Sequence, residues 1–192
     1  MSHRPQITIL LILISLVITL MAPIFDNSIY GFNHHPTEWL SFSPNAPLRH
    51  WGLSLIFSPF LHMNFVHVLT NMIFFIPVGM MIERKESGRF LAVSFVLLHA
   101  LVLLLLVMVN LFFSLEGKAF LGTSHVVIGL YTFWSLKTKN LALLFWPLFI
   151  IGWGLWEPQP MILLAHTLGL FAGIKLFFWS RLWDKFRSQR SH

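Results

Sequence analysis

The stretch Phe120 to Leu130 reads FLGTSHVVIGL, a small polar turn set directly before an apolar run. A serine there has two readings. Its side chain satisfies the open amides of a helix start, or its hydroxyl is a nucleophile. A nucleophile needs a base, and His166, in LLAHTLGLFAG, is the candidate. An imidazole takes the serine proton as the oxygen attacks a carbonyl, then returns it to the leaving amine. Acyl transfer of this kind also needs donors aimed at the developing oxyanion. The helix start supplies one, because the backbone N–H of Ser124 has no intrahelical partner and the helix dipole favours negative charge there. Further donors come from HMNFVHVLTN, which carries His62, His67 and Asn71. His67 and Asn71 are four residues apart and share one helix face. His125 sits close beside Ser124 along the helix start, and its side chain has two readings, toward the cavity or toward a packing neighbour, so the mechanism is placed on Ser124 and His166.

These residues need elements that place them, and composition says which kind. The chain has 192 residues, 56% hydrophobic and 10% charged, with a mean hydropathy of +0.74. A soluble domain carries about 25% charged residues. Long apolar blocks separated by short polar ones predict an all-α polytopic membrane protein, one domain over residues 1–192. The absence of cysteine excludes disulfides, thiol catalysis and cysteine-ligated metal.

Six spans are expected: Ile7–Phe25, Phe60–Ile82, Phe90–Phe113, Ser124–Leu136, Leu141–Trp156 and Met161–Ser180. The first also resembles a signal peptide in its basic start, but it lacks a small-x-small cleavage pattern and reads as a retained helix. Asp26 to Pro59 reads as a polar-aromatic loop, with Trp39 and Trp51 suited to the membrane interface. Arg4, Arg84, Lys85, Arg89, Lys137, Lys139, Arg181, Lys185, Arg187 and Arg190 fall on one side of these spans, and Arg49 and Lys118 on the other. The positive-inside rule then puts both termini in the cytoplasm. The net charge of +6 is therefore a topology signal, and nucleic acid is not an expected partner.

The fourth span is short. About 13 residues make about 20 Å at the helical rise, against about 30 Å of hydrocarbon. With its end anchored at Lys137 and Lys139, Ser124 lies about 10 Å below the outer surface. The preceding SLEGKAFLGT must descend as non-helical backbone, which is tolerated only where protein buries it or water reaches it. This predicts a cavity open to the outer side with a hydroxyl at its floor. On the sixth span His166 lies about 9 Å in from Pro160, so the two residues share a depth. An intramembrane ionisable group is expensive and defaults to function. Ala165, Gly169 and Gly173 give the sixth span a small-residue face, and Gly129 is a complement on the fourth. His166 borders that face. His99, alone in the third span, reads as a satisfied polar contact.

The order His62-x4-His67-x3-Asn71, Gly122-Thr123-Ser124 and Ala165-His166-x2-Gly169-x3-Gly173 resembles the rhomboid family of intramembrane serine proteases, in its six-helix bacterial form. The resemblance implies peptide-bond hydrolysis in or beside transmembrane segments, with a transmembrane protein as substrate, the lipid bilayer as surroundings and no cofactor or metal. It assigns Ser124 as nucleophile, His166 as general base, and His67 and Asn71, with His62, as oxyanion or substrate stabilisers. It implies a bacterial inner-membrane location and a fifth span able to move aside as a lateral gate. Gly79, Glu83, Arg84 and Gly88 resemble the family's Glu-Arg segment, a structural feature. Three departures are visible: His125 stands where the family usually has Gly, Ile128 where it usually has Tyr, and in place of the outer loop's Trp-Arg pair Trp51 is followed by Gly52, with a longer spacing to His62. Two other readings compete. One is a catalytically inactive family member that binds transmembrane clients. The other is a metal or haem site built on His62, His67, His125 and His166, which lacks the carboxylate and Cys ligands and any HExxH.

Overall fold

The computed structural model describes residues 5–25, 39–115, 120–156 and 160–189, with the side chains of 22–25, 156 and 183–189 excepted. The expectations placed on Arg4, on residues 26–38, on Lys118, on the turn at 157–159 and on the side chains of Lys185, Arg187 and Arg190 lie outside the described residues.

Seven α-helices account for most of what is described: α1 (Gln6–Phe25), α2 (Leu53–Phe57), α3 (Phe65–Lys85), α4 (Gly88–Phe113), α5 (Ser124–Thr138), α6 (Phe145–Trp156) and α7 (Pro160–Gln189). No strand occurs among the described residues, only an isolated antiparallel bridge between Phe42 and Phe120. By length and composition, α3, α4 and α7 can cross a bilayer, while Gln6–Met21 and Leu141–Leu155 are shorter apolar helices. The chain is an integral membrane protein.

The helix starts follow local chemistry. Asn64 caps α3, its side chain accepting from His67 N at 2.8 Å, and Ser87 caps α4 by accepting from Phe90 N at 3.0 Å. The second and third spans therefore run Phe65–Lys85 and Gly88–Phe113, displaced from the ranges that apolar content alone sets. The segment expected as the fifth span begins as a 3-10 turn, Leu141–Leu144, and becomes α-helical at Phe145. Pro147 then falls in the first turn of α6, where its missing N–H leaves no bond unmade. The sixth helix continues past Ser180 to Gln189, because the basic stretch after the apolar block still favours helix. The expected loop up to Pro59 is not loop throughout: Arg49–Gly52 forms a 3-10 turn and α2 follows.

At the centre lies α5, whose residues His125 to Ser135 are all buried. A helix covered on every side is apolar all round rather than amphipathic, and α3, α4, α6 and α7 surround it. Its closest partner is α7. A methyl group added at Gly169 would fall against the His125 carbonyl, and one at Gly173 against the Gly129 carbonyl. One added at Gly129 would meet the Gly169 carbonyl at 3.0 Å and Leu98 at 2.9 Å. Without Cβ atoms on this face the two backbones come into contact, the usual way helices gain packing energy in lipid.

α1 is clamped by Glu83 of α3. Its carboxylate accepts from Ile7 N at 2.9 Å, Thr8 N at 2.8 Å and Thr8 Oγ1 at 2.7 Å. Open amides at a helix start attract a carboxylate, and three donors satisfy a charge that burial would otherwise penalise. Nearby, a methyl at Gly79 would lie 3.1 Å from Thr8, and one at Gly88 would lie 2.9 Å from Glu83 Oε1. The Gly-Glu-Gly set thus has a structural reason.

Candidate functional site

The non-helical backbone that leads into α5 is satisfied by protein. Phe120 exchanges both backbone bonds with Phe42, at 2.7 and 2.8 Å, and Gly122 N donates to the Ser58 carbonyl at 2.8 Å. Phe42 and Phe120 are buried. The segment from 39 to 64 therefore acts as a wall against which the descending chain is pinned.

Thr123 occupies the cap position of α5 but makes no cap bond. Its hydroxyl instead reaches His62 Nε2, 3.5 Å away. Ser124 is the first helical residue, half-buried, and its Oγ lies 2.9 Å from His166 Nε2. The serine side chain is therefore committed to the histidine and not to the helix start. His166 is buried, and its Nδ1 has no partner among the described residues.

His67 and Asn71 line the same turn. A methyl at Gly122 would lie 3.2 Å from His67 Nε2 and 3.5 Å from Asn71 Nδ2. Gly122 also has φ +99°, a conformation that a side chain strains. Glycine is required there twice, for its backbone and for the room it leaves. Met63 N approaches His67 Nδ1 at 3.5 Å; a backbone N–H can only donate, so Nδ1 accepts and the ring proton sits on Nε2, toward Gly122. The Asn71 amide nitrogen is buried and unpartnered among the described residues. An unmet buried donor is costly unless something else uses it.

His62 is arranged differently. Its Nδ1 lies 3.2 Å from the Phe60 carbonyl and 3.3 Å from Thr19 Oγ1 of α1, while Nε2 takes the Thr123 hydroxyl. Burial, then the neighbouring His67, push its imidazole down to about 4 against a smaller opposing pull from the Phe60 carbonyl, so the ring is neutral at ordinary pH. Its edge packs on His67 at 5.0 Å between centroids. Both nitrogens are engaged in holding the turn, which leaves neither for a substrate oxygen.

His99 is hydrogen-bonded on both nitrogens, to the Leu55 carbonyl and to His125. His125 is fully enclosed and stacks obliquely on Phe120. Ile128 is also fully buried. No cluster of three or more metal-ligating side chains occurs among the described residues.

Sequence reasoning did not reach the Phe42–Phe120 bridge, the Ser58 and Thr19 contacts, or the His99–His125 pair. Each joins residues distant in the chain, and a single sequence carries no signal for such pairs. A comparison with curated proteins gives no match. The family model for the Rhomboid domain matches residues 49–181, from the 3-10 turn before α2 into α7. With more than half of its length inside that match, the chain belongs to the rhomboid family.

Proposed function

We propose that this protein is an intramembrane serine endopeptidase that cleaves transmembrane or membrane-adjacent segments with a Ser124–His166 dyad. The observation that carries the reading is the 2.9 Å separation of Ser124 Oγ and His166 Nε2, inside a chain of the rhomboid family.

The chemistry follows from the donor pattern. Ser124 O–H donates to His166 Nε2, which places the ring proton on Nδ1. As Oγ attacks the scissile carbonyl carbon, the hydroxyl proton moves to Nε2 and the carbonyl π pair moves to oxygen. Asn71 Nδ2, His67 Nε2–H and the open amide at the start of α5 are the donors near the turn that receive this oxyanion. Collapse breaks the C–N bond, and Nε2 returns the proton to the departing amine. Water then attacks the acyl ester, giving its proton to Nε2, and Ser124 leaves as the hydroxyl. Asn71 Nδ2 has no partner among the described residues, which in this reading leaves it for the transient oxyanion. His62 enters as the support of Thr123 and of the turn.

In this reading residues 1–192 form one domain of six crossings in a bacterial inner membrane, and the distribution of basic residues supports placing both termini on the cytoplasmic side. The substrate is a transmembrane protein that arrives through the bilayer. It enters beside α6, which is held to α3 by the stack of Trp146 on Phe74 at 3.8 Å.

Purified protein treated with a fluorophosphonate should label at Ser124. Ser124→Ala should abolish labelling, and Ser124→Ala or His166→Ala should cut cleavage of a reporter transmembrane substrate in liposomes by at least about 10,000-fold. Labelling that survives Ser124→Ala, or full cleavage by either variant, sinks the dyad. A protein that neither labels nor cleaves yet retains transmembrane segments in pull-downs is the non-catalytic, client-binding member of the family.

A further inference from the structure

Next to the nucleophile stands a buried polar pair that the proposed reaction does not use. His125 Nε2 lies 2.9 Å from His99 Nδ1, and His99 Nε2 lies 3.0 Å from the Leu55 carbonyl. A carbonyl only accepts, so His99 carries its ring proton on Nε2 and presents a lone pair at Nδ1. His125 Nε2–H must then be the donor between the rings. The result is a directional chain, from His125 to His99 to Leu55, which ties α5 to α4 and to α2.

On its other side the same residue is held by its backbone. The His125 carbonyl abuts Gly169 of α7, three residues after His166. The first turn of α5, closed by Val127 N to Thr123 O at 3.0 Å, is therefore gripped by a side-chain hydrogen bond and a backbone contact. Nonspecific packing would hold the turn in place without fixing its rotation. A hydrogen-bonded chain has one geometry, which nonspecific packing lacks, although His125 Nδ1 is buried without a hydrogen-bond partner among the described residues. Burying imidazoles costs desolvation that apolar residues of similar size would not incur, so stability alone does not explain the pair.

We propose that His99 and His125 are positioning residues that set the rotation of the first turn of α5 and so aim Ser124 Oγ at His166 Nε2. The catalytic consequence rests on the protease reading; the restraint on the turn does not.

The test compares the full-length wild type, His99→Leu and His99→Gln in detergent micelles. Leucine removes both the acceptor and the donor. A glutamine amide offers one of each, about as far apart as the two ring nitrogens. Two quantities are read: the rate of fluorophosphonate labelling at Ser124, and amide hydrogen exchange over residues 120–128 with α3 as internal reference. His99→Leu should slow labelling by at least about 10-fold and speed exchange in 120–128 without changing α3. His99→Gln should bring both near the wild-type values.

A general structural role would instead speed exchange in every helix and show no rescue. The proposal is overturned if His99→Leu labels and exchanges as the wild type does, or if folded His99→Gln is no better than His99→Leu. Should the wild type itself not label, the protease reading fails, while the exchange comparison still decides whether the pair restrains the turn.

Discussion

Two helices flank α5 in opposite ways. α7 meets it backbone to backbone, with Gly169 and Gly173 against the carbonyls of His125 and Gly129. α6 leans on its neighbours through side-chain tips. Phe145, Leu148, Phe149, Trp153 and Leu155 are exposed, and its anchors include the Trp146–Phe74 stack and the approach of Gly154 to Leu163. In lipid, where apolar burial gives no preference for protein over hydrocarbon, closeness of approach decides how firmly two helices hold. The α7 wall carries His166 and is rigid by construction. The α6 wall carries none of the proposed chemistry and is held loosely. In the proposed reading, their difference separates a site that keeps its geometry from a side that admits a substrate helix.

The comparison is broken most severely at Gly173. An alanine there drives its methyl into the Gly129 carbonyl, and a backbone atom cannot step aside as a side chain does. Overpacking of this kind costs about 1–3 kcal/mol, and the helices must separate along their whole contact. Gly173→Ala should unfold at a lower fraction of SDS, followed by circular dichroism, and should lose most labelling at Ser124. Wild-type unfolding and labelling would show that α7 is no tighter than α6.

Much of this division was legible in the sequence, and the illegible part has a common cause. The Ala165-Gly169-Gly173 stripe and Gly129 announced a close pair of helices, because spacing along one helix fixes which residues share a face. The start of the fourth helix at Ser124 could be read from the glycine and threonine before it, and helical rise alone gives the expectation that Ser124 and His166 share a level. Their juxtaposition follows from the two together. The five-residue α2 escaped notice because Leu53–Phe57 is too short to show a period. The apolar block of the sixth span ends at Ser180, which is where hydropathy stops, although nothing in the residues that follow breaks a helix. The role of His62 as a brace was hidden because Thr19 lies on α1 and Thr123 just before α5, both far from it along the chain. His99 and His125 are 26 residues apart on different helices, and no local rule pairs them.

A smaller effect is expected where α6 meets α3. The Trp146 ring lies nearly parallel to Phe74, at an interplanar angle of 18°, and its indole nitrogen is buried without a partner among the described residues. Such a stack is worth about 0.5–1.5 kcal/mol beyond its burial. If it holds α6 closed, Trp146→Ala should raise cleavage of a transmembrane substrate by about 2- to 10-fold. Labelling by a small fluorophosphonate should not change, because that reagent needs no lateral entry. A fall in both rates would mean that α6 supports the site as α7 does.

The smallest effects distinguish bending of α6 from displacement as a unit. A methyl at Gly152 would meet nothing within 4 Å, while one at Gly154 would lie 3.3 Å from the flexible end of Leu163. Leu163 can yield by a few tenths of an ångström, so both alanine variants should unfold within about 0.5 kcal/mol of the wild type. Their effect on cleavage is the sharper reading. The helix is continuous from Phe145 to Trp156, and its irregular part is the 3-10 turn at Leu141–Leu144 that precedes it. Motion about that junction carries α6 as a rigid rod, and alanine at Gly152 then leaves the rate of transmembrane cleavage unchanged. Motion by bending within α6 would draw on the freedom of Gly152, which alanine reduces. A Gly152→Ala variant with wild-type stability and slowed cleavage would therefore move the hinge from the end of α6 into its middle.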